Sequence, residues 1–378
     1  MQPAAVRDSA KRISDVFKAL DRVVIGRHRV LQQLMFALVT KNHMLLEGPP
    51  GVAKSYMTNK LFGALQEATH FKVQCTKKMT EDYIVGPLDM HLFREQGEYL
   101  HRIEGYLPEA QYAFLDEFLD LSTGALRALL EILNERTFSR GPQSVKCPLV
   151  TAVCATNFSG ESDAGLEAVM DRFLFKAKIT GLTRVQDRMA MFKSDDIQIP
   201  KMSHVDIMRV NCAIRDVVVP EFVLTIYLRM CEQLKLTDRT VHKAVEVIKA
   251  SAVFSGRKFV ILEDLTSLET CFVKTGDNAS EQAFGQCMKK YKDGVVLRDS
   301  LTAASTVSTR VAQLSSLLAN AADYASAMPT AIEVREAQNA LQALRCAENQ
   351  HIITPALAKC EALLNKADAL FASKGATK

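Results

Sequence analysis

No apolar run in the chain approaches the ~18 residues that span a bilayer. The opening MQPAAVRDSAKR has no apolar core and does not read as a secretory signal. No C-x-x-C pair occurs among the nine scattered cysteines, an odd count that excludes a disulfide framework and a cysteine zinc site. Reduced thiols in a cytoplasm are the expectation. Cys154 sits inside an apolar run and belongs to a core. The eight histidines fall into no ligand spacing, so a transition metal held by protein side chains is not expected. Charge excess is missing too. The net charge of +4 is too small to argue for nucleic acid or a membrane surface. There is no helix-turn-helix, basic stripe or aromatic stacking platform. What is present is the composition of an ordinary soluble protein, 48% hydrophobic and 24% charged. With 378 residues it has room for two or three domains.

Prolines and glycines crowd one short stretch. Gly48, Pro49, Pro50, Gly51, Val52, Ala53, Lys54 and Ser55 fit G-x-x-x-x-G-K-[ST], with Ala53 where the second glycine usually stands. The pattern makes a loop whose backbone N–H groups wrap phosphate oxygens and open onto a helix N-terminus. Lys54 would then reach the β- and γ-phosphates, and Ser55 would hold Mg²⁺. HMLLEG at 43–48 reads as a buried strand and residues 56–65 as a helix, which is the context the motif needs. The alternative is a Pro/Gly turn that happens to carry Lys-Ser.

A second strand, YAFLDEF at 112–118, ends in two carboxylates. Phosphoryl transfer needs one acid for the metal and one to orient the attacking water. Asp116 fits the first role and Glu117 the second. PLVTAVCATN, FLFKAKI and HFKVQC read as further strands between helical stretches, which implies a parallel sheet with crossover helices. Ligands sit at the carboxyl ends of such strands. Gly48, Asp116 and Asn157 all lie at such ends.

The order of IGRHRVLQQLMFALVTKNHMLLEGPPGVAKS, GYLPEAQYAFLDEF, LLEILNERTF, ATN and LEAVMDRFL resembles the MoxR group of AAA+ ATPases, and within it the RavA branch. The likeness covers about residues 13–275. It implies an α/β AAA+ P-loop module of three αβα layers at 1–181. A small all-α lid follows at 182–275; residues 276–378 lie outside the likeness and read from their own pattern as a C-terminal helical bundle. It also implies ATP and Mg²⁺ as ligands and a homo-oligomeric ring, usually a hexamer. The usual partner is a von Willebrand factor A protein. On this resemblance Ile25 and Gly26 pack on adenine. Lys54–Ser55 and Asp116–Glu117 are the Walker pairs, and Asn157 is the sensor that positions water. Arg172 matches the arginine finger and Arg239 the lid arginine. Arg136 also fits the family pattern, with its role open. Ala53 is common at its position, and helix-start dihedrals tolerate its Cβ.

An arginine brought to the γ-phosphate is worth ~10³ to 10⁵ in rate. If Arg172 lies far from its own loop it must serve a neighbour, and head-to-tail contacts close into a ring. Its alternatives are a salt bridge with Asp171 or a solvated helix end. Residues 79–108 form an excursion that resembles the family's helix-2 insert near the ring's pore. Alternation around Gln96-Gly97 predicts a hairpin there. Thr237 reads as an N-cap that puts Arg239 in a first turn. Val241, Val245 and Ile248 share one helix face, and Gly256 closes that helix. TGDNASEQAFGQ is polar and reads as a linker or loop.

Three tail helices are expected. The first carries Val307, Val311, Leu314 and Leu318. The second starts at a Thr330/Glu333 capping box and carries Val334, Ala337, Leu341 and Leu344. The third starts at Thr354-Pro355 and carries Leu357, Cys360, Leu364 and Ala367. They stabilise the chain as a bundle or dock a partner. Three functions are compatible with these features. The first is a ring-forming ATPase that remodels a protein, in a chaperone-like manner. The others are a DNA-associated motor and a nucleotide-switched scaffold, the last disfavoured by Glu117.

Overall fold

The computed structural model describes residues 2–157, 169–192, 197–273, 278–293, 295–319, 324–344 and 350–375. Helix α1 (Ala4–Val23) turns Ile13, Val16 and Leu20 into the core at helical spacing. After it come α2 (His28–Val39), β1 (Met44–Glu47), α3 (Lys54–Ala64), β2 (Leu65–Gln66), β3 (His70–Gln74), α4 (Asp82–Val85), α5 (Met90–Gln96) and β4 (Tyr112–Asp116). Then follow α6 (Thr123–Glu135), β5 (Thr137–Arg140), β6 (Gln143–Lys146), β7 (Thr151–Thr156), β8 (Phe175–Lys178) and β9 (Met202–Ser203).

The main sheet has five strands in the order β3-β4-β7-β1-β8, and every pairing is parallel. All six residues of β7 are buried, the mark of a central strand covered on both faces. Three sequence-distant strands, β4, β7 and β1, are consecutive in the sheet. Their carboxyl ends therefore lie about 5 Å apart from one strand to the next. Leu45, Leu115 and Cys154 share one core with Leu129 and Ile132 of α6. At the other edge of the sheet, His43 is buried, with Nε2 2.8 Å from the Leu133 carbonyl and Nδ1 accepting from the Ala152 N–H. Burial and nearby Arg136 hold it well below the ordinary histidine range, so it is a neutral core residue.

α1 packs on the helix His204–Arg215. Asp206 at that contact is buried and accepts from Arg12 at 2.6 Å and from Ser9 at 2.8 Å, while closing a capping box with Ser203. Burial alone would raise its pKa. The bonds from Arg12, Ser203 and Ser9 outweigh that and bring it to about 2. A depressed carboxylate stabilises the fold above the unfolded value and stops doing so as pH falls through the folded one. Acid titration followed by circular dichroism is therefore expected to show stability, on the order of 2 kcal/mol, lost between about pH 4 and pH 2. The same loss should be missing from Asp206→Asn.

The excursion at 79–108 departs from the hairpin expected of it. Asp89 caps α5 by accepting from the His91 and Leu92 N–H groups, and Gly97 ends that helix at φ +70°. Local capping overrides the alternation, and the returning chain makes a single ladder bridge with the outgoing one, Leu88–His101, flanked by the bonds Asp89 N–H to Leu100 and Arg102 N–H to Pro87. Gly86 closes the base at φ +100°, where an added Cβ would stand 2.0 Å from the Arg102 carbonyl oxygen. The β5–β6 hairpin, for which no strand pattern was apparent, grips this excursion. Gln143 accepts from the His101 N–H and donates to its carbonyl. Arg140 joins Glu131 of α6 at 3.0 Å and Glu81 at 3.4 Å. Met90, Phe93 and Tyr99 stay exposed.

The chain divides into two compact units. One holds 1–216, 237–256 and 267–281; the other holds 217–236, 257–266 and 282–378. Within the first, the helix Asp238–Phe254 is capped by Thr237 and followed by Gly256 at φ +74°. Its buried face carries Ala244, Val247 and Ile248, one position round from the face expected, with Val245 only half-buried. Of the expected linker at 275–286, residues 275–277 lie outside the described residues, and the rest is helical: a helix runs Asn278–Asp293 and buries Phe284 and Cys287. Within the second unit, Val295–Ala319, Tyr324–Ala343 and Gln350–Gly375 form the expected bundle around Val311, Leu314, Val334, Leu341, Ile353 and Cys360. The last two begin earlier than their capping signals, and Pro329 and Pro355 lie inside them. A proline costs a backbone bond, but burial of Ala327 and Ile353 upstream offsets it. Among the described residues no helix is long and apolar enough to cross a membrane.

Candidate functional site

β1 ends where Gly48 donates its N–H to the Thr156 carbonyl at 3.1 Å, level with the end of β7. A Cβ at Gly48 would stand 2.2 Å from the Ile179 carbonyl oxygen, so only glycine lets the loop leave the sheet there. The loop runs through Pro49, Pro50, Gly51 and buried Val52, and α3 starts at Lys54. Ala53 does not take the helix-start dihedrals expected of it. It sits at φ 70°, ψ 23°, in the left-handed region. That conformation costs a residue with a Cβ about 1 kcal/mol and explains why glycine usually stands here. The strain brings the first amides of α3 round to the loop, where a helix N-terminus favours an anion.

Five polar side chains meet at these strand ends. The buried Lys54 ammonium donates to the Gly48 and Pro49 carbonyls and to Asn157 Oδ1. Asn157 in turn donates to Glu117 Oε1 at 2.8 Å. Ser55 donates to Asp116 Oδ2 at 2.6 Å. Burial lowers the Lys54 pKa, against the pull of Asp116 and Glu117. Glu117 stands at φ 54°, a strained backbone that turns its side chain away from Asp116 and toward Asn157. Ser55 and Asp116 bring two hard oxygens to one point. Among the described residues no group of three or more His, Cys, Asp or Glu could hold a metal. Two oxygens are too few for a protein-only site and fit magnesium, which keeps water and phosphate oxygens of its own.

Ile25 and Gly26 lie between α1 and α2. Gly26 faces Leu182 and Asp187, and Arg27 donates to the Thr180 carbonyl. These partners follow β8, so Ile25 and Gly26 stand on the same sheet edge as the loop.

A family model described as the MoxR domain of MoxR–vWA–β-propeller ternary systems matches residues 11–201, half of the chain. The chain is a MoxR-type AAA+ ATPase. A second model, an AAA lid domain, matches residues 219–282. An uncharacterised protein of Methanocaldococcus jannaschii is 27% identical over 267 residues, covering 69% of this chain and 70% of that one. The chaperone MoxR1 of Mycobacterium tuberculosis is 27% identical over 175 residues, 46% of this chain and 45% of MoxR1. A crystal structure of a candidate ATPase from Cytophaga hutchinsonii superposes with a TM-score of 0.59 at 18% identity, covering 77% of this chain and 96% of that one, and supports the fold.

The arginines of this MoxR-type chain lie elsewhere. Arg172 and Asp171 occupy a turn just ahead of β8, whose first residue, Phe175, is level with Met44 at the start of β1. The phosphate loop leaves the opposite end of β1. Arg239 joins the same edge, with its guanidinium 3.4 Å from Asp171. Arg136 is there too. It donates to the carbonyls of Lys41 at 2.8 Å and Val150 at 3.3 Å, which precede β1 and β7, and burial lowers its pKa to about 10. The expected residues thus fall into two groups. Lys54, Ser55, Asp116, Glu117 and Asn157 converge at the carboxyl ends, while Arg136, Arg172 and Arg239 gather at the amino ends. Motif reading did not foresee that Asp171 contacts both Thr237 and Arg239. The signal available was an acid directly before Arg172.

Proposed function

We propose that the protein hydrolyses ATP with magnesium in a homo-oligomeric ring, six subunits being the family's usual number. It uses the cycle to remodel a protein partner of the von Willebrand factor A type. The observation that carries this reading is the split of the machinery over two edges of one sheet. The loop amides and Lys54 bind the β- and γ-phosphates. Ser55 and Asp116 hold magnesium, which when bound neutralises charge on the phosphate oxygens. Glu117 orients the attacking water and takes its proton, and Asn157 fixes Glu117 through the bond already made to it. Arg172 and Arg239 serve the nucleotide of a neighbour, Arg239 from the far edge rather than from its own site. On this reading residues 1–181 are the nucleotide-binding domain, 182–275 the lid and 276–378 an added helical domain. The vWA partner is supported by the kind of system in which the matching family model is described.

The test is ATP turnover per subunit against protein concentration, with magnesium, for wild type and Arg172→Ala. Wild-type turnover is expected to climb with concentration, and the variant to stay ~10³-fold lower throughout. Equal, concentration-independent rates would sink the shared-site reading.

A further inference from the structure

Arg239 is a long side chain on the first turn of its helix, and nothing in that helix alone would hold it beside Arg172. The structure holds it with one carboxylate. Asp171 Oδ1 accepts from Thr237 Oγ1 at 3.3 Å, and Asp171 Oδ2 meets Arg239 Nη1 at 3.4 Å. Thr237 is the N-cap of the helix that carries Arg239, so Asp171 binds both the helix start and the arginine. The turn that carries Asp171 is fastened by backbone bonds and a buried ring. Arg172 and Phe173 donate their N–H groups to the Val169 and Met170 carbonyls, each at 3.2 Å. Buried Phe173 packs edge-on against Phe118, 5.7 Å between ring centres, and Phe118 is the residue after Glu117.

The charge around this turn is one-sided. Lys243 stands one helical turn beyond Arg239, and its pKa is lowered by burial and then by Arg239 and Arg136. The acids acting on it in the other direction are Asp171 and Glu246. A cluster of cations at one edge repels itself unless an anion stands within it.

We infer that Asp171 is a positioning residue that fixes Arg239 beside Arg172, so that one subunit presents two arginines as a rigid pair to a neighbour's nucleotide. The inference rests on the shared-site reading above. Preorganisation is the physical reason for the device. A flexible arginine must be ordered during the reaction, whereas one already held in place acts at full strength on the charge that develops.

The test is steady-state ATP hydrolysis by the full chain, above the concentration at which wild-type turnover saturates. The variants are Asp171→Asn, Arg239→Ala, their combination, Asp171→Glu and Arg172→Ala. Asp171→Asn keeps the size and the Thr237 contact but removes the charge. It is expected to lower kcat about 10-fold while KM for ATP stays within about twofold, because only transition-state contacts are lost. Arg239→Ala should lose at least as much, and the double variant no more than Arg239→Ala alone. Asp171→Glu should recover part of kcat. Asp171→Asn with wild-type kcat beside a slow Arg239→Ala would overturn the inference. So would losses that multiply in the double variant. If Arg172→Ala and Arg239→Ala both turn over like wild type, the shared-site reading itself falls, which is a distinguishable result.

Discussion

Glu117→Gln is expected to bind ATP as wild type does and to hydrolyse it about 10² to 10⁴ times more slowly, the range for loss of a positioned general base. The structure gives the reason for the separation. Glu117 touches neither Ser55 nor the loop in the bonds that define the binding half of the site. It faces Asn157, which links it to Lys54. Glutamine is nearly isosteric and can still accept from Asn157 through its amide oxygen, so the geometry survives while the proton acceptor is lost. The left-handed backbone at 117 is kept too, since it is set by the turn into Phe118 and Leu121 and not by the carboxylate. Filter binding of labelled ATP next to a phosphate-release assay separates the two properties. Loss of binding and turnover together would mean that Glu117 shapes the site rather than acting on water.

Lys54→Ala is expected to lose binding itself. Two or more charge-assisted bonds to phosphate vanish at once, about 3 kcal/mol, or ~10² in affinity. The lysine is buried and held by the Gly48 and Pro49 carbonyls and by Asn157, so it is poised at the mouth of α3. Because those partners are backbone and a neutral amide, removing the ammonium leaves no buried charge unpaired. The fold should therefore stand, and thermal unfolding should stay near wild type without nucleotide. The stabilisation that saturating ATP gives wild type should be absent from the variant. A variant that ATP still stabilises would contradict the assignment of the phosphate site.

Much of the binding half was legible as sequence because its parts are local. A strand, a loop of fixed length and a helix start are set by neighbours in the chain. Gly48 through Ser55 therefore announces a phosphate loop, and an apolar strand ending in Asp116-Glu117 announces acids at a sheet edge. The core positions of the tail helices were legible for the same reason, since helical period depends on nearby residues. Local reading failed where two local signals competed. Around Gln96-Gly97 the alternation suggested strands, but Asp89 and Gly97 cap a helix. At Pro329 and Pro355 the capping signals lost to burial upstream. At Ala53 the dihedral expected from a helix start lost to the demand of the loop. The RavA likeness rests on motif order alone.

The sequence by itself determined the candidate chemistry: a phosphate-loop pattern, two carboxylates, an asparagine at a strand end and three candidate arginines. Tertiary structure alone decided their distribution. Strand order β4-β7-β1 draws Asp116, Asn157 and Gly48 to one edge from positions about a hundred residues apart. The same parallel register sends Arg172 to the other edge, because a residue before a parallel strand lies opposite one that follows it. Asp171 then brings Arg239 to join it, through a contact spanning 68 residues that no local pattern encodes.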